Sequence, residues 1–288
     1  MVQLADEWLQ LEAAMGARPR LLGRDIFELR DHAAAMAAEV PKPEPSEALR
    51  IHGGGWCVGD LDTDDGLVRH MAEKVPMTFI SVDYRLAPEH PWPASLVDCA
   101  AVAKWALDEF APGRNVDVAP GIVLAGTSAG GQLAFATASK LIEDHYHVRG
   151  IASLAPLTIT PKAVPVHMKG KYTSMVENAD TALVDPANLQ IFLDATGHAD
   201  GDTSFCVLRS PNLHKFPPTY LVTCGADVLR DDGILMEEAL REHGIWVKRD
   251  HYAKYPHTFW VMPTLKATEL FYTNLIRGLS FCLHNVPC

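Results

Sequence analysis

The chain has 288 residues, enough for one large α/β domain or two small ones, and 48% of them are apolar, ample for a buried core and too apolar for a disordered chain. A net charge of −11 argues against nucleic acid or an anionic membrane surface as the main partner. Its six cysteines (Cys57, Cys99, Cys206, Cys224, Cys282, Cys288) form no C-x-x-C pair and no zinc-ligand spacing, so no metal site or disulfide framework is expected.

The elements follow in chain order. The first residues, Met1 to Trp8, carry early acids and no basic stretch before an apolar run, so they do not read as a signal peptide. No segment approaches the ~18 apolar residues of a membrane span. Together these predict a soluble, cytoplasmic protein without stable membrane insertion. Residues 3–15 and 24–39 read as amphipathic helices, with Leu4, Trp8 and Leu11 on one face and Ile26, Leu29 and Met36 on the other. Pro41, Pro43 and Pro45 then break the pattern. Strand-like runs follow at 48–52, 78–84, 121–125, 150–154, 219–224 and 245–252, alternating with helical stretches at 64–75, 94–110, 131–143 and 231–243. Such alternation predicts an α/β fold with a mostly parallel sheet covered on both faces and functional groups at the carboxyl edge of the strands. Between Pro156 and Pro218 the strand signal lapses, leaving a helical patch at Pro186–Ala195, and an insertion of that length over the active edge reads as a cap. The division is therefore 1–45 for N-terminal cap helices and linker, and 46–288 for a catalytic domain interrupted at about 157–215.

Gly121 to Gly131 is the most informative stretch: an apolar strand runs into G-x-S-x-G and continues as a small-residue helix, the pattern of a nucleophile elbow presenting Ser128. An activated serine needs a base, and the base an orienting carboxylate. Asp227 follows the strand 219–224 and His257 follows the strand 245–252, in the chain order acid then base. Asp231 and Asp232 are rival acids at a helix start, where carboxylates commonly favour the dipole, and His251 is a rival base within an alternating strand. His52-Gly53-Gly54-Gly55-Trp56, after a short strand, offers bare N–H groups which, with that of Ala129, would form an oxyanion hole. A phosphate cradle is the weaker reading, because no G-x-x-x-x-G-K-[ST] is present. No metal or cofactor is required by this chemistry.

These motifs, with Tyr84-Arg85-Leu86-Ala87-Pro88-Glu89-His90-Pro91, Asp227 to Gly233 and Pro256-His257-Thr258-Phe259, resemble the hormone-sensitive-lipase family (family IV) of α/β-hydrolase carboxylesterases from about residue 50 onward. The resemblance implies an α/β-hydrolase fold with a helical cap. It implies a Ser128, Asp227, His257 triad, an oxyanion hole from the second and third glycines (Gly54 and Gly55, beside Gly53) with Ala129, and a bracing role for Arg85 and Glu89. Only Pro41 to Arg50 fills a gap that in the family holds further edge strands, so a truncated sheet of about six or seven strands is expected where the family has about eight. Thr258 stands where the family has glycine and Val228 where it has proline. Trp56, Thr127 and Thr258 are candidate substrate contacts, and Tyr172, Met175, Phe192 and Phe205 are either apolar pocket walls or core.

The expected activity is hydrolysis of small-molecule esters bearing short-to-medium acyl or other small apolar groups. Two alternatives stand beside it: an acyltransferase, thioesterase or cyclising enzyme using the same serine, and an inactive small-molecule receptor, against which the retained His257 argues. The strand 245–252 is either a covered edge or one that pairs across a homodimer.

Overall fold

The computed structural model describes residues 2–30, 49–111 and 121–284. The predicted helix at 24–39 is helical from 26 to 30, with a bend at Arg24 and Asp25 before it, and residues 31–39 lie outside the described residues, as do Pro41–Pro45 and Cys288.

Six strands are present among the described residues: β1 (Leu49–Ile51), β2 (Ile80–Val82), β3 (Ile122–Thr127), β4 (Val148–Leu154), β5 (Thr219–Cys224) and β6 (Val247–Tyr252). They form one sheet in the order β2-β1-β3-β4-β5-β6 with every pairing parallel. Six strands among the described residues fall within the expected six or seven, while residues 41–48, where the shortening is expected, lie outside the described residues. Parallel strands need covered crossovers, and the central strands accordingly read as continuous apolar runs: β5 is buried along its whole length. Helices α1 (Asp6–Met15), α2 (Asp65–Lys74), α3 (Ala94–Trp105), α4 (Ala129–Glu143), α5 (Ser174–Glu177), α6 (Pro186–Thr196), α7 (Arg230–Glu242) and α8 (Lys266–His284) complete the regular elements. The predicted helix over 94–110 is interrupted, since α3 passes into a wider π-helical turn at Ala106–Phe110.

Two apolar clusters lie on the two faces of the sheet. Leu133, Phe135, Leu141, Leu235 and Leu240 of α4 and α7 belong to one. Trp8 of α1, Met71 of α2, and Phe271, Leu275 and Leu279 of α8 belong to the other. Helix α8 lies outside the predicted elements. It packs close against the sheet, because a Cβ on Gly278 would stand 2.3 Å from the Tyr220 ring and one on Gly150 would stand 2.6 Å from Cys282 Cβ. Glu7 of α1 fastens this helix: its carboxylate accepts the backbone N–H groups of Lys266 (2.9 Å) and Ala267 (3.1 Å), and the hydroxyl of Tyr255 (2.5 Å).

Edge strand β6 is sheathed in charge, with Lys248 paired to Asp250 at 2.8 Å and Arg249 paired to Glu237. The five described cysteines are free and buried. No helix among the described residues is long and apolar enough to cross a membrane.

Candidate active site

The carboxyl ends of β1, β3 and β5 and the loop after β6 converge on one edge of the sheet. At the end of β3 the chain turns through Ser128, whose φ of 55° and ψ of −117° are unfavourable for a residue with a side chain. Such a conformation costs about 1–3 kcal/mol and persists only where the surroundings over-determine it. Here Ser128 N–H donates to Leu154 O at 2.8 Å and Ser128 O accepts from Gln132 N–H at 3.1 Å. Gly126 and Gly130 are required by close approach: a Cβ on the first would stand 2.1 Å from Gly130 O, and on the second 2.1 Å from Ile51 O. The hydroxyl thus sits at the N-terminus of α4, where the dipole favours developing negative charge.

His257 Nε2 lies 3.0 Å from Ser128 Oγ, and His257 Nδ1 lies 2.7 Å from Asp227 Oδ2. Asp227 is fully buried, and its other oxygen accepts the Leu229 N–H at 2.8 Å. A carboxylate at Nδ1 requires the proton there, which leaves Nε2 as a bare acceptor facing the serine. The insertion grips the acid's loop from above. Asn178 Nδ2 donates to the carbonyls of Asp227 (2.8 Å) and Gly225 (3.1 Å), while Thr181 donates to Ala226 O. On the base's side, Ala5 N–H donates to Lys254 O at 3.0 Å, and Thr258 sits in the left-handed region at φ 49°.

The rival residues serve elsewhere. Asp232 Oδ1 accepts the N–H groups of Thr158 (2.7 Å) and Ile159 (3.0 Å), and Oδ2 the Tyr172 hydroxyl (3.0 Å). Burial nevertheless pushes this carboxyl up to about 7. Asp231 Oδ2 accepts the N–H groups of Thr173 and Ser174, each at 2.7 Å, and its other oxygen takes Arg230 Nε at 2.7 Å. Although burial opposes it, this set of donors holds the Asp231 carboxyl below its usual range. Both acids therefore anchor the insertion to α7, a role beyond the dipole reading. His251 Nδ1 pairs with Thr223 Oγ1 at 2.9 Å on β6, and burial lowers its pKa.

The glycine loop after β1 is held at both sides of its first residue. Gly53 N–H donates to Asp64 Oδ2 at 3.4 Å, and Gly53 O accepts from His52 Nδ1 at 2.7 Å. The His52 ring stacks on Tyr84 at 4.2 Å, and burial holds it below its usual pKa. Gly54 (φ 120°) and Gly55 (φ 57°) follow, and a Cβ on either would collide, at 2.1 Å with Val58 O or at 2.5 Å with the Phe192 ring. The N–H groups of Gly54, Gly55 and Ala129 have no acceptor among the described residues. Further along the loop, Trp56 Nε1 donates to Gln132 Oε1 (3.0 Å), whose amide nitrogen donates to Phe205 O (3.0 Å) in the insertion. Arg30 donates to Cys57 O at 2.7 Å and pairs with Glu89 at 2.6 Å, while Arg85 pairs with Asp98 at 2.8 Å. Arg85 and Glu89 are thus ion-paired braces, and both are well exposed rather than buried. Burial pushes the Cys57 thiol up to about 12, so it stays neutral beside the loop.

A cavity of about 210 Å³ opens between these groups. Gly53, Gly54, Gly55, Trp56, Thr127, Ser128, Ala129, His257 and Thr258 all line it, and Asp227 lies behind His257. Its far wall is aliphatic, from Leu21 of the N-terminal segment and Leu183, Val184 and Leu189 of the insertion. These two segments are joined, since Leu183 N–H donates to Pro19 O (2.8 Å) and Asn188 Nδ2 to Leu21 O (2.9 Å). Of the four apolar candidates Phe192 alone faces the cavity. Phe205 is core, Tyr172 and Met175 pack against that core, and the Trp56 ring tilts onto Phe205 at 4.9 Å. Arg50, His52, Asp64, Asn178 and Gln132 escaped the sequence reading as site residues. A cation within the strand Leu49–Ile51 and a lone amide in the small-residue helix after Ser128 were the available signals. Among the described residues no three His, Cys, Asp or Glu side chains gather as a metal site.

A family profile described as the α/β hydrolase fold matches residues 48–261. The chain belongs to the α/β-hydrolase fold family. Within that family it is hormone-sensitive-lipase-like. This α/β hydrolase is 39% identical over 293 residues to a versiconal hemiacetal acetate esterase of Aspergillus parasiticus, covering 90% of this chain and 91% of that one. It is also 39% identical over 241 residues to an FAD-linked oxidoreductase of Aspergillus terreus. That match spans 82% of this chain and only 29% of the larger protein, so the flavin in its name belongs to a protein of which this hydrolase resembles one part. Among solved structures a vibralactone cyclase superposes with a TM-score of 0.82 at 25% identity, covering 100% of both chains.

Proposed function

We propose that this α/β hydrolase is a serine carboxylesterase acting through Ser128, His257 and Asp227. The observation that carries the reading is the continuous relay of 3.0 Å and 2.7 Å from Ser128 Oγ through the imidazole to a buried carboxylate, on the wall of a mostly apolar cavity. Ser128 Oγ attacks the ester carbonyl as its proton passes to His257 Nε2. The carbonyl oxygen becomes an oxyanion within reach of the N–H groups of Gly54, Gly55 and Ala129, which are oriented before the charge develops. Gly53 contributes its place in the loop rather than a donor, because its N–H is taken by Asp64. Collapse breaks the ester C–O bond, and the leaving alcohol takes the proton from Nε2. Water then gives its proton to Nε2 and attacks the acyl-serine, and collapse releases the acid as Ser128 Oγ takes that proton back from Nε2. Asp227 keeps the Nδ1 proton in place and stabilises the transient imidazolium.

The N-terminal segment over its described residues 2–30 and the insertion at about 157–215 act together as the cap. Their aliphatic wall and the small cavity suit a short-to-medium acyl group, in keeping with the acetate ester named for the Aspergillus parasiticus relative. The test is a series of 4-nitrophenyl esters from acetate to decanoate on the wild type and Ser128→Ala. Turnover with a short-chain optimum, lost in the variant, is expected; absence of turnover on every ester refutes the proposal.

End-to-end likeness to a cyclase favours one second reading, in which a hydroxyl of the acyl chain itself replaces water in the second step. A lactone rather than a free acid among the products would select it.

A further inference from the structure

The cavity wall has a polar corner at Asp64 and Thr127 that the triad chemistry does not use. Asp64 lines the cavity with its side chain 13% exposed, and behind it Arg50 is 2% exposed. Arg50 Nη2 lies 2.7 Å from Asp64 Oδ2, Nη1 donates to Asp64 O at 3.1 Å, and the guanidinium also donates to Thr127 Oγ1. Withdrawing two charges from water costs several kcal/mol for each ion, and apolar residues of similar volume commonly replace such a pair without loss of stability. Holding Gly53 does not require a charge either, because a neutral acceptor would serve its N–H. Asp64 Oδ2 is already engaged, ion-paired with Arg50 and accepting from Gly53 N–H. Oδ1 accepts from no donor among the described residues, although an ionised carboxylate offers about four acceptor sites. Thr127 Oγ1, also on the cavity wall, accepts from Arg50 and keeps its own proton to donate.

We infer that Asp64 is a specificity-determining residue that accepts a hydrogen bond from a free hydroxyl of the substrate, so that the preferred esters are hydroxylated ones. This rests on the esterase reading. The hydroxyl donates to Asp64 Oδ1 and accepts from Thr127. The neighbouring guanidinium neutralises the corner, which therefore selects a neutral donor over an ammonium, and a substrate carboxylate brings no donor to Asp64 Oδ1. An ester without a donor leaves the acceptor unpaired in a mostly apolar cavity. A hydrogen bond to a charged group corresponds to about a 10- to 100-fold preference.

The experiment compares kcat/KM for two matched pairs: 4-nitrophenyl 3-hydroxybutyrate against butyrate, and 2-hydroxyphenyl acetate against phenyl acetate. One pair places the hydroxyl in the acyl part and the other in the alcohol part. The readout is the hydroxyl-to-deoxy ratio in the wild type divided by that in Asp64→Asn, which cancels intrinsic reactivity and any damage common to both esters. An amide that keeps its oxygen on the Gly53 N–H presents an NH2 group where Oδ1 stood and cannot accept from the substrate there, so the quotient is expected at about 10–100 for one pair. A quotient under about 3 in both pairs overturns the inference and leaves Asp64 as a brace for Gly53. Should Asp64→Asn not fold, Arg50→Met/Asp64→Leu, which removes both charges together, carries the same comparison. Absence of turnover by the wild type on all four esters is a failure of the esterase reading instead. Equilibrium binding of the corresponding ketones, with the ester oxygen replaced by CH2, then tests Asp64 by the same quotient.

Discussion

Replacing Asp227 by Asn changes one atom in a fully buried side chain and should stop catalysis while leaving the fold in place. The carboxylate serves two donors at once, Leu229 N–H at 2.8 Å on Oδ1 and His257 Nδ1 at 2.7 Å on Oδ2. An amide has one acceptor oxygen. If it faces Leu229, the NH2 group points at Nδ1, which must then surrender its proton, and Nε2 carries that proton toward Ser128 and cannot act as base. If the oxygen faces His257 instead, the NH2 group is driven against the Leu229 N–H, leaving a buried donor unpaired at about 1–3 kcal/mol. The first arrangement is the cheaper, and a reversed tautomer in this geometry lowers kcat by about 10,000-fold, or ~5.5 kcal/mol at the transition state. The assay is kcat on 4-nitrophenyl acetate beside a thermal melt, with Asp231→Asn as the control for an acid of the same loop and helix. A variant that melts as the wild type but keeps kcat within about threefold of it would refute the reasoning.

Two further outcomes test how the site is held. For Asp232, raised from the ordinary 3.8 to about 7 by burial, the folded state binds the proton more tightly than the unfolded chain. Its contribution to stability is complete below about pH 4 and is lost as the pH climbs to about 7, an effect of ~4 kcal/mol. Asp232→Asn should flatten that slope in urea titrations at pH 5 and pH 8, and parallel curves for variant and wild type would contradict it. Gly130→Ala places a Cβ 2.1 Å from Ile51 O, so the elbow helix must shift off β1. A loss of about 1–3 kcal/mol in chemical denaturation together with reduced turnover is expected, and a neutral variant would show that the approach is looser than described.

The site was legible where the chemistry is local. Ser128, Gly54, Gly55 and Ala129 depend on a strand, a turn and a helix adjacent in sequence, and Asp227 and His257 depend on being the acid and base just past strand ends. What escaped reading depends on partners far along the chain. Asn178 reaches the Asp227 loop across 49 residues and Gln132 reaches Trp56 across 76, and an isolated Asn or Gln carries no pattern that names its partner. Arg50 is a different case, because a cation within a strand is itself an anomaly, but its meaning required Asp64, which sits among Asp60, Asp62 and Asp65 and cannot be told from them by composition. Helix α8 could have been read. Ala267, Phe271, Leu275 and Leu279 recur every fourth residue and are buried along one face, yet Tyr272, Ile276 and Phe281 blur that stripe. The apolar candidates were ambiguous for a physical reason: a pocket wall and a core use the same side chains, and only their packing separates Phe192 from Phe205.

The bonds from Glu7 to the start of α8 join residues 259 and 260 positions apart, and the same carboxylate takes the Tyr255 hydroxyl two residues before His257. Order of synthesis therefore matters to this enzyme. A ribosome making the chain exposes the elbow and the glycine loop while the seat of the base is still unmade. These contacts form when α1 meets the start of α8, a closure of long range among the described residues and among the slowest kinds of contact to form. A nascent chain carrying Ser128 thus lacks the Glu7 contacts with Lys266 and Ala267 until those residues have been made.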